Sequence, residues 1–397
     1  MKIVYFYQYF STPKGSWGTR VYEFASEWVR KGHDVTIVSS IYSKSDLKAT
    51  KLIEDQYFNG IHVKVLNITI DNKQTKLFRI FSFVKYSILS CWFALSLPAD
   101  VVIVSSGPIT VGLPGLIAKY IRKKKLIFEV RDLWPEGAIE LGYIKNPIIK
   151  KLAYNFEKLC YKASSLIVTL SPGMRDYIEK LHNHKNVISV TNAANVNLFS
   201  IPIKFPNKIK DLKPFKYAIY TGNIGEVNNS YWLYNAAVDL KKRGRNDIKI
   251  LLVGDGVQKI ELQELAKKNN LDNFIIYNLM PKVELVPFIQ NAIVSLVPLK
   301  AIPILETSSP NKFFESIAAG VGIIQNTRGW MKDFLEEHKA GDTLDPNRPD
   351  LLATRLIELC DKKKENYAKS ENLIKLAKKH FDTKVLAEKM ISNIECI

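Results

Sequence analysis

Apolar runs of strand length alternate with helical patterns from one end of this chain to the other, and that alternation leaves little choice of fold. Strand, helix and strand in succession build βαβ units, whose strands pair in parallel beneath covering helices. The expected strands fall into two series. The first lies near Lys2–Gln8, Val35–Ser39, Val63–Leu66, Val101–Ser105, Leu126–Val130, Leu166–Leu170 and Val187–Val190. The second lies near Tyr217–Thr221, Lys249–Val253, Phe274–Tyr277, Ile293–Val297 and Val321–Gln325. Between them, residues 195–214 carry three prolines, several lysines and no clear period, which predicts a linker. A chain of 397 residues exceeds one ordinary core and suits two domains. The expectation is an α/β protein of two doubly wound parallel-sheet domains, residues 1–198 and 199–375. The helical tail from about Lys363 has no strand after it, so its last helix, about 376–397, is expected to pack back on the first domain.

Both series open in the same way. The first strand runs into Gly15-Ser-Trp-Gly18 and a helix near 20–31, closed by Gly32; the second series runs into Gly222-Asn-Ile-Gly225 and a helix near 231–243, closed by Gly244. Such glycine pairs let backbone amides approach an anion at a helix amino terminus, where orphan N–H groups and the helix dipole favour negative charge. A single turn of this kind often only makes the corner. Two of them, opening two Rossmann-like domains, predict facing lobes with a ligand cleft at the carboxyl ends of their strands. Gly15, Gly18, Gly222, Asn223 and Gly225 are the expected anion-side residues. Asp255, within Gly254-Asp-Gly256, is placed to line a nucleotide pocket, although a plain turn explains it equally well.

Hydrophobic content of 47% with 24% charged residues is ordinary for a globular chain, but the net charge of +18 is not. It attracts anionic lipid or phosphorylated ligands, or reflects solvated lysine-rich faces. Nucleic acid is disfavoured as a partner because the lysines are spread and no recognition module is visible. Cys91, Cys160, Cys360 and Cys396 form no Cys-x-x-Cys pair, which fits a reducing compartment rather than a disulfide framework or zinc site. The amino terminus lacks a small-residue cleavage site and reads as a first strand, not a signal peptide. Leu77 to Pro98 is broken by Arg79 and Lys85, so it is not expected to span a bilayer. A basic, aromatic-rich helix over Lys76–Pro98 suits a membrane interface; packing on the first sheet is the plainer alternative.

The sharpest local argument concerns residues 308–320. Serine before Pro310 predicts a helix start with proline in the first turn, and Gly320 a stop. Lys312 then sits in the first turn, where a cation opposes the helix dipole unless an anion is bound. An ammonium is a compact charge suited to phosphate. About one turn on, Glu315 is placed to accept hydrogen bonds from a vicinal diol such as ribose. Ser309 and Asn311 flank the same anion position, whereas Phe313, Phe314 and Ile317 read as core.

Here the residues reach a resemblance. Gly107-Pro108, Glu129-Val-Arg-Asp-Leu-Trp-Pro135, Gly222-Asn-Ile-Gly225, Val253-Gly-Asp-Gly256 and Pro310-Asn-Lys-Phe-Phe-Glu-Ser-Ile-Ala-Ala-Gly320 resemble the motifs of family 4 glycosyltransferases, which have the GT-B fold. Together they look like the branch that builds bacterial surface polysaccharides, including fucosamine-type aminosugar transferases. The resemblance covers almost the whole chain. It implies a UDP-, GDP- or dTDP-sugar donor, a retaining outcome, no metal and no cofactor. It also implies a glycan acceptor on polyprenyl diphosphate and a cytoplasmic enzyme, peripheral on the inner face of the membrane. Four departures stand out. The first glutamate of the family's Glu-x7-Glu pair is Thr307, with Glu306 one residue off. The basic pair after the second lobe's first strand is replaced by Asn223 and the stretch Asn228-Asn-Ser230. A first-lobe histidine is replaced by Arg131. The proline after the motif is missing from Gly320-Val-Gly322.

Arg131 and Asp132 follow the strand Leu126–Val130 and so face the cleft end of the sheet. An ion pair within the loop is the plain reading. The functional one has Asp132 orient a hydroxyl while Arg131, with Lys312, stabilises phosphate charge. No Asp-x-Asp triplet occurs to anchor a metal diphosphate. A nicotinamide dehydrogenase would need Gly-x-Gly-x-x-Gly, and Gly254-Asp-Gly256 continues to Lys259 instead. The rivals left standing are a nucleotide-sugar epimerase of similar fold and a non-catalytic sugar-nucleotide binder.

Overall fold

The computed structural model describes residues 1–71, 74–182, 184, 186–206, 208–209, 212–361 and 370–397, and of Lys76 the backbone alone. Two units emerge: Met1–Asn192 with Thr383–Ile397, and Ala193–Asp382. In the first unit the elements are β1 (Lys2–Phe6), α1 (Arg20–Arg30), β2 (Asp34–Tyr42), β3 (Ile53–Phe58), β4 (Ile61–Ile70), α2 (Lys76–Ser96), β5 (Val101–Ser106), α3 (Gly112–Tyr120), β6 (Lys125–Val130), α4 (Glu136–Glu140), α5 (Pro147–Ala163), β7 (Leu166–Thr169), α6 (Pro172–His182) and β8 (Val187–Ser189). The second unit continues with α7 (Val196–Ser200), β9 (Tyr217–Asn223), α8 (Ser230–Lys242), β10 (Lys249–Asp255), α9 (Lys259–Lys268), β11 (Phe274–Tyr277), α10 (Lys282–Gln290), β12 (Val294–Val297), α11 (Asn311–Ala318), β13 (Ile323–Gln325), α12 (Trp330–His338), β14 (Gly341–Thr343), α13 (Pro349–Asp361) and α14 (Ser370–His380). The last helix, α15 (Thr383–Glu395), belongs to the first unit.

The first sheet has the order β3-β4-β2-β1-β5-β6-β7-β8, parallel except for the β3–β4 hairpin. Its order reverses between β1 and β5, the switch point where α/β sheets open a crevice at their carboxyl ends. The hairpin was not expected. It turns on Asn59-Gly60, both with positive φ (49° and 80°), the two-residue turn that suits the twist of paired strands. The second sheet runs β11-β10-β9-β12-β13-β14, all parallel, and reverses between β9 and β12. Its edge strand β14 was also unforeseen, being only three residues long. In β9 and β10, alternate residues enter separate cores on the two faces: Tyr217, Ile219, Leu251 and Val253 on one, Ala218, Tyr220, Ile250 and Leu252 on the other.

Two expected boundaries move. Residue 198 is too late for the first, because Asn195 caps α7 and its Val196 and Phe199 enter the second unit's core. The span read as a linker is thus partly packed, with Ile209 and Leu212 buried as well; residues 207, 210 and 211 lie outside the described residues. Residue 376 is too early for the return. Leu373 and Ala377 of α14 still pack in the second core, and only α15 lies on α1, where the Ala387 carbonyl accepts from Trp28 Nε1 at 3.0 Å. Residues 363–369 of the expected tail also lie outside the described residues.

Candidate functional site

The second unit concentrates its chemistry at the β9/β12 switch point. Tyr220 and Gly222 end β9, and α11 begins after the loop that leaves β12. Helix α11 is one residue shorter at its start than expected: Pro310 is the cap, with extended backbone, rather than its first helical residue. Lys312 is therefore the second helical residue. It is only 8% exposed, and its Nζ donates to Asn228 Oδ1 at 3.2 Å and lies 4.1 Å from the Tyr220 ring centroid. A Cβ on Gly222 would stand 3.4 Å from both Lys312 Cε and Nζ, and Gly222 has φ +128°. A Cβ there would only touch the lysine, so the case for glycine is its backbone, a conformation that side-chain-bearing residues rarely take. Burial pushes the Lys312 pKa down to about 7, against an upward pull from Glu315.

Glu315, one turn on, is itself buried and pairs with Lys282 Nζ at 2.8 Å. Sequence reasoning missed Lys282: it follows Pro281 at the start of α10 and has no motif around it. Phe313, Phe314 and Ile317 are fully buried in the core, and Gly320, at φ +74°, ends the helix. Thr307, in the slot of the missing glutamate, turns its Oγ1 back onto the Ile304 carbonyl at 2.8 Å. Ser309 is buried and Asn311 half-buried beside Lys312 in the chain.

The glycine turn after β9 differs from the expected cradle. The Ile224 amide donates to the Asp255 carbonyl at 3.0 Å and the Gly225 amide to Ser230 Oγ at 2.9 Å. Those two donors are used inside the protein, and a short turn, Glu226–Asn228, separates them from α8. The glycines flanking Asp255 likewise have a packing cause. A Cβ on Gly254 would stand 1.8 Å from the Gly222 carbonyl oxygen, and one on Gly256 2.1 Å from that of Ile224. Asn223 pairs in register with Asp255 across β9 and β10, so both end at the switch point.

In the first unit the turn after β1 is also tied down. Asp46 accepts from the Thr12 amide at 2.8 Å and from its hydroxyl at 2.5 Å, the Gly15 amide donates to the Thr12 carbonyl at 3.0 Å, and the Ser16 amide to that of Lys44 at 2.9 Å. The Gly15 and Ser16 amides are thus not free for an anion; Gly18 sits half-buried just before α1. Behind this turn lies a buried charge network. Glu129, fully buried in β6, accepts from Arg20 Nε at 2.9 Å, Tyr5 Oη at 2.5 Å and Ser105 Oγ at 2.6 Å. Burial alone would raise its pKa, but Arg20 first, then Arg131 and the two hydroxyls, hold it below the usual range. Arg20 also donates Nη2 to the Val190 carbonyl at 3.0 Å.

Arg131 and Asp132 do not form the loop ion pair that was the plain reading of their adjacency. The Arg131 guanidinium lies 4.8 Å from the Tyr7 ring centroid, and its Nη1 stands 3.7 Å from Glu129 Oε2. Asp132 is exposed, although protein crowds it. That crowding raises its carboxyl pKa, Arg131 opposes the rise, and solvent screens both. Among the described residues, no group of three His, Cys, Asp or Glu side chains is placed to hold a metal ion.

Comparison with known proteins places both halves of the chain. Residues 15–192 match the family described as Glycosyl transferase 4-like domain, and residues 203–380 that described as Glycosyl transferases group 1. A relative, the probable glycosyltransferase WbjE of Pseudomonas aeruginosa, is 22% identical over 270 residues. That alignment covers 66% of this chain and 66% of WbjE, just under two thirds of its length. Among solved structures, sucrose-phosphate synthase of Thermosynechococcus elongatus is 13% identical with a TM-score of 0.74, covering 99% of this chain and 98% of its own. Anabaena HepE in complex with UDP-glucose is 14% identical with a TM-score of 0.70, covering 100% of both. At such identity these structures speak for the fold, two parallel-sheet α/β domains of the GT-B class.

Proposed function

We propose that this glycosyltransferase of the GT-B type moves a sugar from a nucleotide-diphospho-sugar to a glycan acceptor, with retention at the anomeric carbon and without a metal ion. The observation that carries the donor reading is Lys312, a cation in the first turn of a helix, buried against an aromatic ring and an amide oxygen. A diphosphate there adds negative charge beside the buried ammonium and meets the helix amino terminus as well. Glu315 accepts the ribose hydroxyls, while Ser309, Asn311, Asn223 and Asp255 line the donor. HepE, a structure of the same fold, holds UDP-glucose, which supports a nucleotide sugar as the ligand class.

In the transfer, the bond from the anomeric carbon to the diphosphate breaks and the acceptor oxygen bonds to that carbon on the same face. The leaving diphosphate takes the acceptor's proton. The transition state resembles an oxocarbenium ion, so the protein's part is positioning and preorganised charge. In the second unit Lys312 stabilises the diphosphate; in the first unit Arg131 offers a cation to phosphate and Asp132 an acceptor that orients a hydroxyl. The donor is a UDP-, GDP- or dTDP-sugar carrying a hexose or N-acetylaminosugar. We place the acceptor on polyprenyl diphosphate, in O-antigen, capsule or exopolysaccharide synthesis, with the enzyme peripheral on the cytoplasmic face of the membrane.

A thermal-shift panel of nucleotide sugars and nicotinamide cofactors, run with chelator present, tests the donor class. One nucleotide-sugar group is expected to raise the melting temperature, since a ligand specific to the folded state stabilises by mass action. A response to nicotinamide cofactors alone would overturn the reading. Product analysis separates the rivals: an epimerase alters the sugar with no acceptor present, and a pure binder alters nothing. Glu315→Gln is expected to weaken binding of the responding donor about tenfold, the scale of one charge-assisted hydrogen bond. Calorimetric titration showing an unchanged Kd would remove Glu315 from the ribose.

A further inference from the structure

Helix α2 buries a mixed side: Phe93 and Ala94 together with Ser82, Tyr86, Ser87 and Ser90, the Tyr86 hydroxyl donating to the Val38 carbonyl at 2.7 Å. Its solvent side carries Leu77, Phe81, Val84, Ile88, Trp92 and Leu95, spaced at three and four residues so that they share one stripe. Phe81 is 63% exposed and Trp92 66%, values that a water-facing helix of a stable protein has no reason to keep. The segment Leu77–Ser96 has the length and hydropathy to cross a membrane, but its buried side fastens it to the sheet as a surface helix.

The stripe has neighbours. Helix α2 packs beside α3, and α3 beside α5, in a layer over one face of the first sheet. Gly112 allows the last contact, since a Cβ there would stand 2.5 Å from Cys160 Sγ of α5. On α5, Ile148, Leu152 and Leu159 form a second exposed apolar stripe, flanked by Lys151, Lys158 and Lys162. Helix α3 ends in exposed Tyr120 and Ile121, followed by Arg122-Lys-Lys-Lys125. Across all three helices the sequence holds one acidic residue, Glu157, and it is buried. Apolar stripes set among cations, with no exposed acid on any of the three helices, match a surface that is apolar below and anionic above. A second copy of the chain would bring like charge to like charge, which argues against self-association.

We propose that α2, α3 and α5 form one face that docks the first unit onto an anionic phospholipid bilayer. The apolar stripes enter the head-group layer and the flanking lysines meet lipid phosphates. This deepens the peripheral, lipid-linked reading above and rests on it, extending the contact from one helix to three.

The test is co-sedimentation of the full-length protein with vesicles of phosphatidylglycerol and phosphatidylcholine, set against phosphatidylcholine alone. Binding is expected on the anionic vesicles at low salt, falling as salt screens the lysines. Phe81→Glu with Trp92→Glu, and separately Ile148→Glu with Leu152→Glu, are each expected to lower vesicle affinity about tenfold or more. Nucleotide binding and the melting temperature, expected to stay at wild-type values, serve as the check on folding. Lys151→Glu with Lys158→Glu should weaken binding to anionic vesicles only. The proposal falls if the wild type ignores anionic vesicles, if the α5 pair binds as the wild type does, or if sedimentation shows a dimer that the α2 pair abolishes. Donor binding is read separately, so a failed vesicle assay leaves the donor site standing, and a failed donor assay leaves the docking face standing.

Discussion

Lys312→Ala is expected to slow sugar transfer about one hundred-fold at saturating donor, the usual cost of deleting a group that stabilises charge developing in the transition state. The geometry gives the reason. The ammonium touches one amide oxygen and one ring face, both neutral, and the nearby Glu315 carboxylate is itself paired with Lys282 at 2.8 Å, so an incoming diphosphate still finds positive charge to meet. In the proposed transfer, charge accumulates on the diphosphate as the bond to the anomeric carbon breaks, and the attraction to Lys312 grows. The loss should therefore appear in kcat and kcat/KM together, not in KM alone. Lys312→Arg is not expected to rescue fully, because a planar guanidinium is larger than an ammonium and Lys312 is 8% exposed, with its Nζ 4.1 Å from the Tyr220 ring centroid. Turnover of the Ala variant at the wild-type rate would remove Lys312 from the donor site.

The same residue gives the enzyme a pH signature. With its pKa lowered to about 7 by burial, Lys312 is half charged near neutrality in the free protein. A diphosphate binds the charged form, so donor affinity should fall as pH rises above about 7, approaching tenfold per unit while the complex keeps the proton. Stability of the free protein moves the other way. Between about 7 and the ordinary value of 10.5, the unfolded chain holds a proton that the folded state has lost, so folding strengthens as pH rises. Opposite slopes for binding and stability identify one buried lysine as the cause, and Lys312→Ala should flatten both.

Most of the fold was legible because its signal is periodic. The strands of both units lie within a few residues of where alternation put them, since buried parallel strands read as continuous apolar runs. The β3–β4 hairpin carried a signal that was passed over: Asn59-Gly60 is the strongest short hairpin motif, but a chain read as βαβ units throughout left no place for it. The helix start at Pro310 and the lysine after it were visible because caps and dipoles act locally. Tyr220, Lys282 and the partners of Glu129 were not, because long-range contacts between elements create them. One clue existed even there. Glu129 is the only charged residue among the buried positions of the inner strand β6, and a buried carboxylate must have a cation beside it. The glycine turns show the opposite error. A motif that promised free amides spends several of them on its own loop.

Glu129→Gln is expected to destabilise the first unit by about 3–5 kcal/mol, the range for removing one partner from a buried ion pair. The change keeps shape and volume, so the loss isolates charge. Arg131 would keep only the attraction of the exposed Asp132, while Arg20 would be left with only polar neutral groups facing it and, 3% exposed, has no route to water. Its remaining hydrogen bonds to backbone carbonyls hold it where the charge is uncompensated. Arg20→Met should cost less, because Glu129 keeps Arg131 Nη1 at 3.7 Å and the Tyr5 and Ser105 hydroxyls. The two variants also differ in pH response. In the wild type the lowered pKa of Glu129 contributes stability above its ordinary value of 4.5, lost as pH falls through the folded value. Without Arg20 that pKa moves up, so the Arg20→Met deficit should shrink as pH falls. Replacing both residues with Met should recover part of the Glu129→Gln loss, since the pair must be desolvated together and an apolar pair need not be. Thermal unfolding of the set from pH 5 to 8 measures each of these. A Glu129→Gln protein that melts with the wild type would show that the network does not hold β1, α1, β5 and β6 together, and Arg131 would then need another explanation for its place beside Tyr7.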